Sequence, residues 1–263
     1  MPDSPTNQSS KRRKGAGKWQ KQQAIIESGD RGVFVTCEMG KEGKCIPEVV
    51  DLFTQSVEAL DDGEKDKQSS SAEDDDIEAQ IKREVEGLKP SSSKPRLFRA
   101  FRMDFPCVMF IKCDKSIDPE KLVHQLCVDA YANPDQKRCR YIQRMSPIRS
   151  IRKTLSVDLE AFAQEMLKPE FHSGGPPKKF AIRPVVRGNS KFNRDTIIKT
   201  VARVVGPDHS VDLKNYDLLI LVEVVQNLIG MSVVGPDYDK LKKFNLAELY
   251  KPSETSEKSE SMK

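Results

Sequence analysis

Apolar positions along the chain fall into short runs separated by charged and small residues, and the spacing within each run predicts an element. Val33, Phe34 and Val35 in RGVFVTCEM (31–39) form a β-branched and aromatic run that predicts a strand. After a turn containing Gly40 and Gly43, Ile46, Val49, Val50, Phe53 and Val57 recur at helical spacing. LFRAFR (97–102) and PCVMFIKC (106–113) read as strands close enough to pair as a hairpin. Asp118-Pro119-Glu120 opens a helix, with Asp as the cap and Pro in the first turn, and Leu122, Val123, Leu126, Cys127 and Ala130 supply its apolar face. RCRYIQRM (138–145) alternates, which predicts a strand with Arg138, Arg140 and Arg144 on a cationic face. Leu155, Leu159, Phe162, Ala163 and Met166 predict a helix over 155–167, closed by Pro169 and by Gly174-Gly175-Pro176-Pro177.

The next segment, KFAIRPVVRGNSKFNR (179–194), carries Lys179, Arg183, Arg187, Lys191 and Arg194 with no acid among them. Phe180, Ile182, Pro184 and Val186 share one face of a strand, while Arg183 and Arg187 lie on the other. Pro184 cannot donate to a ladder, so an edge or a bulge is expected there. Asn193 is placed to cap a helix whose core face is Ile197, Ile198, Val201, Val204 and Val205. Gly188, Asn189, Ser190 and Lys191 then form a strand-to-helix loop beside the positive end of that helix, a setting that suits a phosphate. YDLLILVEVV (216–225) is apolar on both faces, and LIGMSVV (228–234) can return beside it as a hairpin.

Charge divides the chain sharply. Residues 61–86 hold eleven acids against four bases, a net of −7, so on a total of +4 the remainder carries +11. That field favours a polyanionic partner. The acidic block is too polar to fold alone and reads as an insertion over 61–90. Residues 1–30, with Lys11, Arg12, Arg13 and Lys14 followed by Lys18 and Lys21, read as a disordered basic tail, either a nuclear-localisation signal or an arm for RNA. The charged KPSETSEKSESMK at the other end reads as a second tail.

The six cysteines contain no C-x-x-C pair and only three histidines accompany them, so neither a metal site nor a disulfide framework is expected. No apolar run is long enough for a membrane span and the N-terminus is not a signal peptide, so a reduced intracellular protein without a membrane partner is expected. No G-x-G-x-x-G follows a strand and there is no G-x-x-x-x-G-K-[ST]; MGKEGK (39–44) has glycines at other spacing and reads as a turn. No cofactor is expected, and no motif sets a nucleophile beside His124, His172 or His209, so no catalytic residue is assigned.

Four segments together, DPEKLVHQL (118–126), RYIQRMSPI (140–148), FAIRPVVRGNSKFNRDTIIKTVA (180–202) and VDLKNYDLLILVEVVQNLIGMSVV (211–234), resemble the THUMP-domain proteins. The likeness is to the tRNA-binding adaptor family for tRNA cytidine acetylation, and with RGVFVTC it covers about 31–250. One departure is Tyr216, which stands where the family usually has Pro before the Asp of the VDL turn. The resemblance implies an α+β protein: an N-terminal ferredoxin-like domain over 31–115, a THUMP α/β domain over 116–240, and a mostly disordered C-terminal segment over 241–263. It also implies a partner, tRNA, held by its acceptor stem and 3′ end. Barely thirty residues follow Val234, so the chain is expected to present serine and leucine tRNAs to a separate RNA cytidine acetyltransferase for N4-acetylcytidine formation, in the nucleus and its nucleolus or in the cytoplasm. Lys179, Arg183, Arg187, Asn189, Ser190, Lys191 and Arg194, joined by Arg138, Arg140 and Arg144, are the expected RNA-binding residues. Two alternatives stay open: an RNA-binding ribosome-assembly factor, and an RNA-modifying enzyme with an unrecognised site.

Overall fold

The structure, a computed structural model, describes residues 25–65 and 96–251. The basic cluster at Lys11–Lys14, the acidic block beyond Lys65 and residues 252–263 lie outside the described residues. The chain runs β1 (Gly32–Cys37), α1 (Glu42–Lys65), β2 (Phe98–Arg102), β3 (Val108–Cys113), α2 (Pro119–Ala132), β4 (Ile142–Ile148), β5 (Ser150–Lys153), α3 (Leu159–Phe171), β6 (Lys179–Arg187), α4 (Arg194–Val205), β7 (Ser210–Val211), β8 (Leu218–Val225) and β9 (Leu228–Val234). A 3-10 turn over Lys242–Phe244 and a short helix α5 (Leu246–Leu249) close it. Among the described residues no helix is long and apolar enough to cross a membrane.

Two sheets result, one ordered β2-β3-β1-β4 and the other β5-β9-β8-β6-β7. In the first, every neighbouring pair is antiparallel. In the second, β6 runs parallel to β8 and β7, while β9 runs antiparallel to β8 and β5. β4 and β5 are separated only by Arg149, so a nearly continuous strand passes from one sheet into the other. α2 and β4, grouped with the second unit on the sequence, are therefore built into the first sheet, where β4 pairs with β1. The division expected near residue 115 does not fall between the sheets.

One core packs α1 and α2 on the first sheet and continues through Ala181, Leu219, Leu221 and Val234 of the second. A second core lies between α3, α4 and the far face of the second sheet, where Phe180, Ile182 and Val186 point as the alternation requires. A third lies on the opposite face of the first sheet, where Phe34, Phe110 and Ile148 meet Ile151, Val225 and Leu228.

Helix starts follow the capping residues. Asp118 accepts hydrogen bonds from the backbone N–H groups of Glu120 and Lys121, and Asn193 accepts one from that of Thr196, as expected at free helical N–H groups. Asp158 does the same for Glu160 and Ala161, so α3 begins at Leu159 and leaves Leu155 85% exposed, outside the helix predicted for it. Pro169 lies inside the last turn of α3, which runs on to Phe171. The strand predicted over 138–145 begins only at Ile142, because a Glu48 carboxylate oxygen accepts the N–H groups of Tyr141 and Ile142 before the ladder starts. Arg138 and Arg140 are thus loop residues. Residues 241–251 belong to the fold: Phe244 is fully buried, and Leu246 and Leu249 pack beside it.

Candidate nucleic-acid interface

Cationic side chains concentrate along β6 and the loop that follows it, but the structure divides them by what they touch. Lys179 begins β6 and Arg187 ends it; eight residues at ~3.3 Å each set them roughly 26 Å apart. Lys179 is exposed and meets Asp212 only at 3.5 Å. Arg183 is held far more firmly. Its guanidinium donates to both Asp239 carboxylate oxygens, at 2.6 and 2.5 Å, and lies 5.7 and 5.5 Å from the ring centroids of Tyr216 and Tyr238. The hydroxyl of Tyr216 donates to the same Asp239 carboxylate at 2.8 Å. This hydrogen bonding, led by Arg183, holds the Asp239 carboxyl below its ordinary range, while burial and the carboxylate push the Tyr216 hydroxyl up.

Arg187 reaches inward. It donates at 2.8 Å to Glu223, a carboxylate only 5% exposed, whose other oxygen accepts from the Ser146 hydroxyl of the first sheet at 2.8 Å. Burial pushes the Glu223 carboxyl up, opposed by Arg187 and Ser146. Arg183 and Arg187, expected on the sequence as RNA-binding residues on one face of the strand, are both ion-paired within the chain, to partners 56 and 36 residues away that no local pattern reveals.

The loop after β6 is equally tied. Asn189 accepts the N–H groups of Lys191 and Phe192, both at 2.9 Å, and donates to the Gln226 carbonyl at 2.7 Å. Gly188, at φ +60°, makes the turn against the Phe105 ring. The Lys191 ammonium donates to the carbonyls of Thr154, at 2.6 Å, and Leu155, at 3.3 Å. Ser190 and Arg194 are exposed, Arg194 on the first turn of α4. Loops from three directions thus meet at the end of β6: 154–155, 188–193 and 226–227.

Arg138 and Arg140 stand apart on the loop into β4, where Arg138 donates to Gln55 at 3.2 Å and Arg140 lies 5.6 Å from the Tyr141 ring centroid. Arg144, on β4, lines a cleft together with Arg187. Of the ten expected residues, the structure brings Arg144, Arg187 and the 189–194 loop to one region with Arg183 four residues back along the strand, and leaves Lys179, Arg138 and Arg140 outside it. Glu223, Tyr216 and Asp239 were not anticipated. A lone acid inside YDLLILVEVV was the available signal for Glu223, because a buried carboxylate requires a partner.

The histidines each serve the fold. His209 accepts the Lys178 N–H on Nδ1, at 3.1 Å, and its Nε2–H donates to the Phe171 carbonyl at 3.0 Å. His172 approaches the Val205 carbonyl at 3.3 Å, and His124 the Asp237 carboxylate at 2.6 Å.

Comparison with known proteins adds to this geometry. Residues 156–234 match the THUMP domain. The chain is 37% identical over 233 residues to an uncharacterized protein of Schizosaccharomyces pombe, covering 88% of this chain and 79% of that one. It is 34% identical over 244 residues to THUMP domain-containing protein 1 of Mus musculus, covering 88% and 68%. It is 32% identical over 264 residues to tRNA acetyltransferase TAN1 of Saccharomyces cerevisiae, covering 91% of each.

Proposed function

The chain belongs to the family of THUMP domain-containing proteins, and from that premise we propose that it binds tRNA and presents it to a separate RNA cytidine acetyltransferase for N4-acetylcytidine formation. The observation that carries this reading is the 32% identity with tRNA acetyltransferase TAN1 across 91% of both chains, a likeness that extends well beyond residues 156–234. In this reading the chemistry belongs to the partner enzyme, and the present chain supplies RNA binding without a catalytic residue or cofactor of its own. Serine and leucine tRNAs are the substrates, held by acceptor stem and 3′ end, and the protein works in the nucleus. The first sheet serves as a ferredoxin-like platform, a reading supported by its β2-β3-β1-β4 order with antiparallel neighbours. Exposed Ser190 and Arg194 and the cationic cleft residues meet the phosphates, where releasing counterions supplies much of the affinity.

The name of the yeast relative favours a second reading, in which this chain transfers the acetyl group itself. Acetylation assays separate the two. With serine tRNA and acetyl-CoA, the purified chain alone is expected to produce no acetylcytidine, and adding an RNA cytidine acetyltransferase is expected to produce it. Product from the chain alone would establish the second reading. No tRNA retention in a filter-binding assay at ~0.1 M salt, where phosphate contacts still attract strongly, would defeat both.

A further inference from the structure

All six cysteines are free thiols, yet two of them face each other across a ladder. β1 and β3 pair Val35 with Met109 and Thr36 with Val108, and the Cys37 N–H donates to the Cys107 carbonyl at 3.1 Å, so the same register carries Cys37 opposite Cys107. A hydrogen-bonded antiparallel pair holds its Cα atoms about 5.5 Å apart, within the span that a disulfide bridges. Cys113, the other cysteine on a strand of this sheet, stands opposite Phe98 instead. Cys107 is also unusual in its backbone. Its φ is +63°, in the left-handed region that side chains disfavour, and the turn is held by its N–H, which donates to the Glu42 carboxylate at 3.0 Å. Backbone outliers of this kind collect at working sites.

Exposure gives the two thiols different roles. Cys107 is half-buried and borders a cleft of about 350 Å³, where a small oxidant reaches it. Cys37 borders the same cleft but is only 2% exposed. Burial and then the Glu42 carboxylate push its thiol up to about 11, against a hydrogen bond donated by the Cys45 thiol, so it stays protonated and reduced inside. An oxidant thus meets Cys107 first, and the Cys37 sulfur is the neighbour placed to act next. We infer that Cys107 and Cys37 form a reversible disulfide when the chain meets a peroxide. The Cys107 sulfur attacks one oxygen of hydrogen peroxide, the O–O bond breaks, and one water leaves a sulfenic acid behind. The Cys37 sulfur then attacks the Cys107 sulfur, the S–O bond breaks, and the hydroxyl departs with the Cys37 proton as a second water. Two thiols have then given two electrons and two protons to one peroxide. The new bond ties β1 to the turn before β3 and fixes the Phe105-Pro106 wall of the cleft. This chemistry does not depend on the tRNA-binding reading.

The test uses the full chain, reduced, freed of reductant and exposed to a small excess of hydrogen peroxide. Thiols counted after unfolding in maleimide should fall from six to four, and a digest without reductant should join the peptide carrying Cys37 to the one carrying Cys107. Dithiothreitol should restore all six by exchange. Cys37→Ser should strand the sulfenic acid on Cys107, where dimedone traps it. Cys107→Ser should leave the remaining five thiols reduced, because none of them is open to solvent. Should the buried Cys37→Ser variant fail to fold, the wild-type digest and Cys107→Ser decide. Six free thiols after prolonged exposure, a Cys37–Cys45 link, a dimer joined through two Cys107 thiols, or Cys107 oxidised to sulfinic or sulfonic acid beside a free Cys37 would each overturn the inference.

Discussion

Arg183 shows how little a single residue's type says about its work. On the sequence it is one of five cations in an acid-free run, on a strand face expected to meet RNA, where an exposed side chain contributes little to stability. In the structure it grips Asp239 through two hydrogen bonds between two tyrosine rings. Tyr216, the residue that departs from the family pattern, is one of those rings and also donates to Asp239. Arg183→Ala is therefore expected to lower the Tm at pH 7, by a loss of about 0.5–1 kcal/mol once solvent screening of the half-exposed pair is allowed for. The pH dependence has a definite sign. Asp239 has a folded pKa below its ordinary 3.8, so its contribution is present above that value and is lost as pH falls through the folded pKa. The Tm gap between wild type and Arg183→Ala should therefore narrow as the pH is taken below about 4 in a thermal melt series. A gap that stays constant down to pH 2 would show that the tyrosine rings, not the carboxylate, account for the loss.

At the scale of elements, the passage of the chain from β4 to β5 is what joins the sheets, and it depends on a residue with no side chain. Gly230 sits on β9 opposite Ile151, and a Cβ there would meet Ile148 at 2.6 and 2.9 Å. Ile148 is itself fully buried. Gly230→Ala is expected to destabilise by about 1–3 kcal/mol through overpacking. Ile148→Ala should cost more by leaving a cavity, yet the double substitution should lose less than the two losses added, since the alanine methyl enters the vacated space. Strictly additive losses in chemical denaturation would refute this account of the contact. Much at this scale was legible. The caps at Asp118 and Asn193, the hairpins and the β6 alternation all follow from local chemistry, whereas β5 and β7, with four and two residues, are too short to show a period. The run Lys242–Phe244 was unreadable for another reason. All three residues hold positive φ, a conformation costly for side chains, which the complete burial of Phe244 and backbone hydrogen bonds to Tyr238, Asp239 and Leu241 offset.

The whole molecule makes a demand that neither sheet makes alone. All five buried cysteines, Cys37, Cys45, Cys113, Cys127 and Cys139, lie in the core that also contains Ala181, Leu219, Leu221 and Val234 from the second sheet and Leu246 and Leu249 from the last helix. Sequence periodicity assigns a residue to a face but not to a face shared by two sheets, so this joint core was invisible until β4 and β5 were seen as one path. Burial pushes the thiol of Cys37 up to about 11 and those of Cys113 and Cys139 to about 12. Cys107, between β2 and β3, is the partly exposed exception. A maleimide reagent at pH 8 should thus modify one thiol of the native chain and six of the unfolded chain, as counted by mass spectrometry. Because the core spans both sheets, the five protected thiols should open together, and their urea midpoint should coincide with that of the far-UV circular dichroism. Labelling of Cys45 and Cys127 at lower urea than the loss of ellipticity would mean that the first sheet and its helices open as a separate unit, and that the continuous strand from Ile142 to Lys153 is a hinge and not a weld.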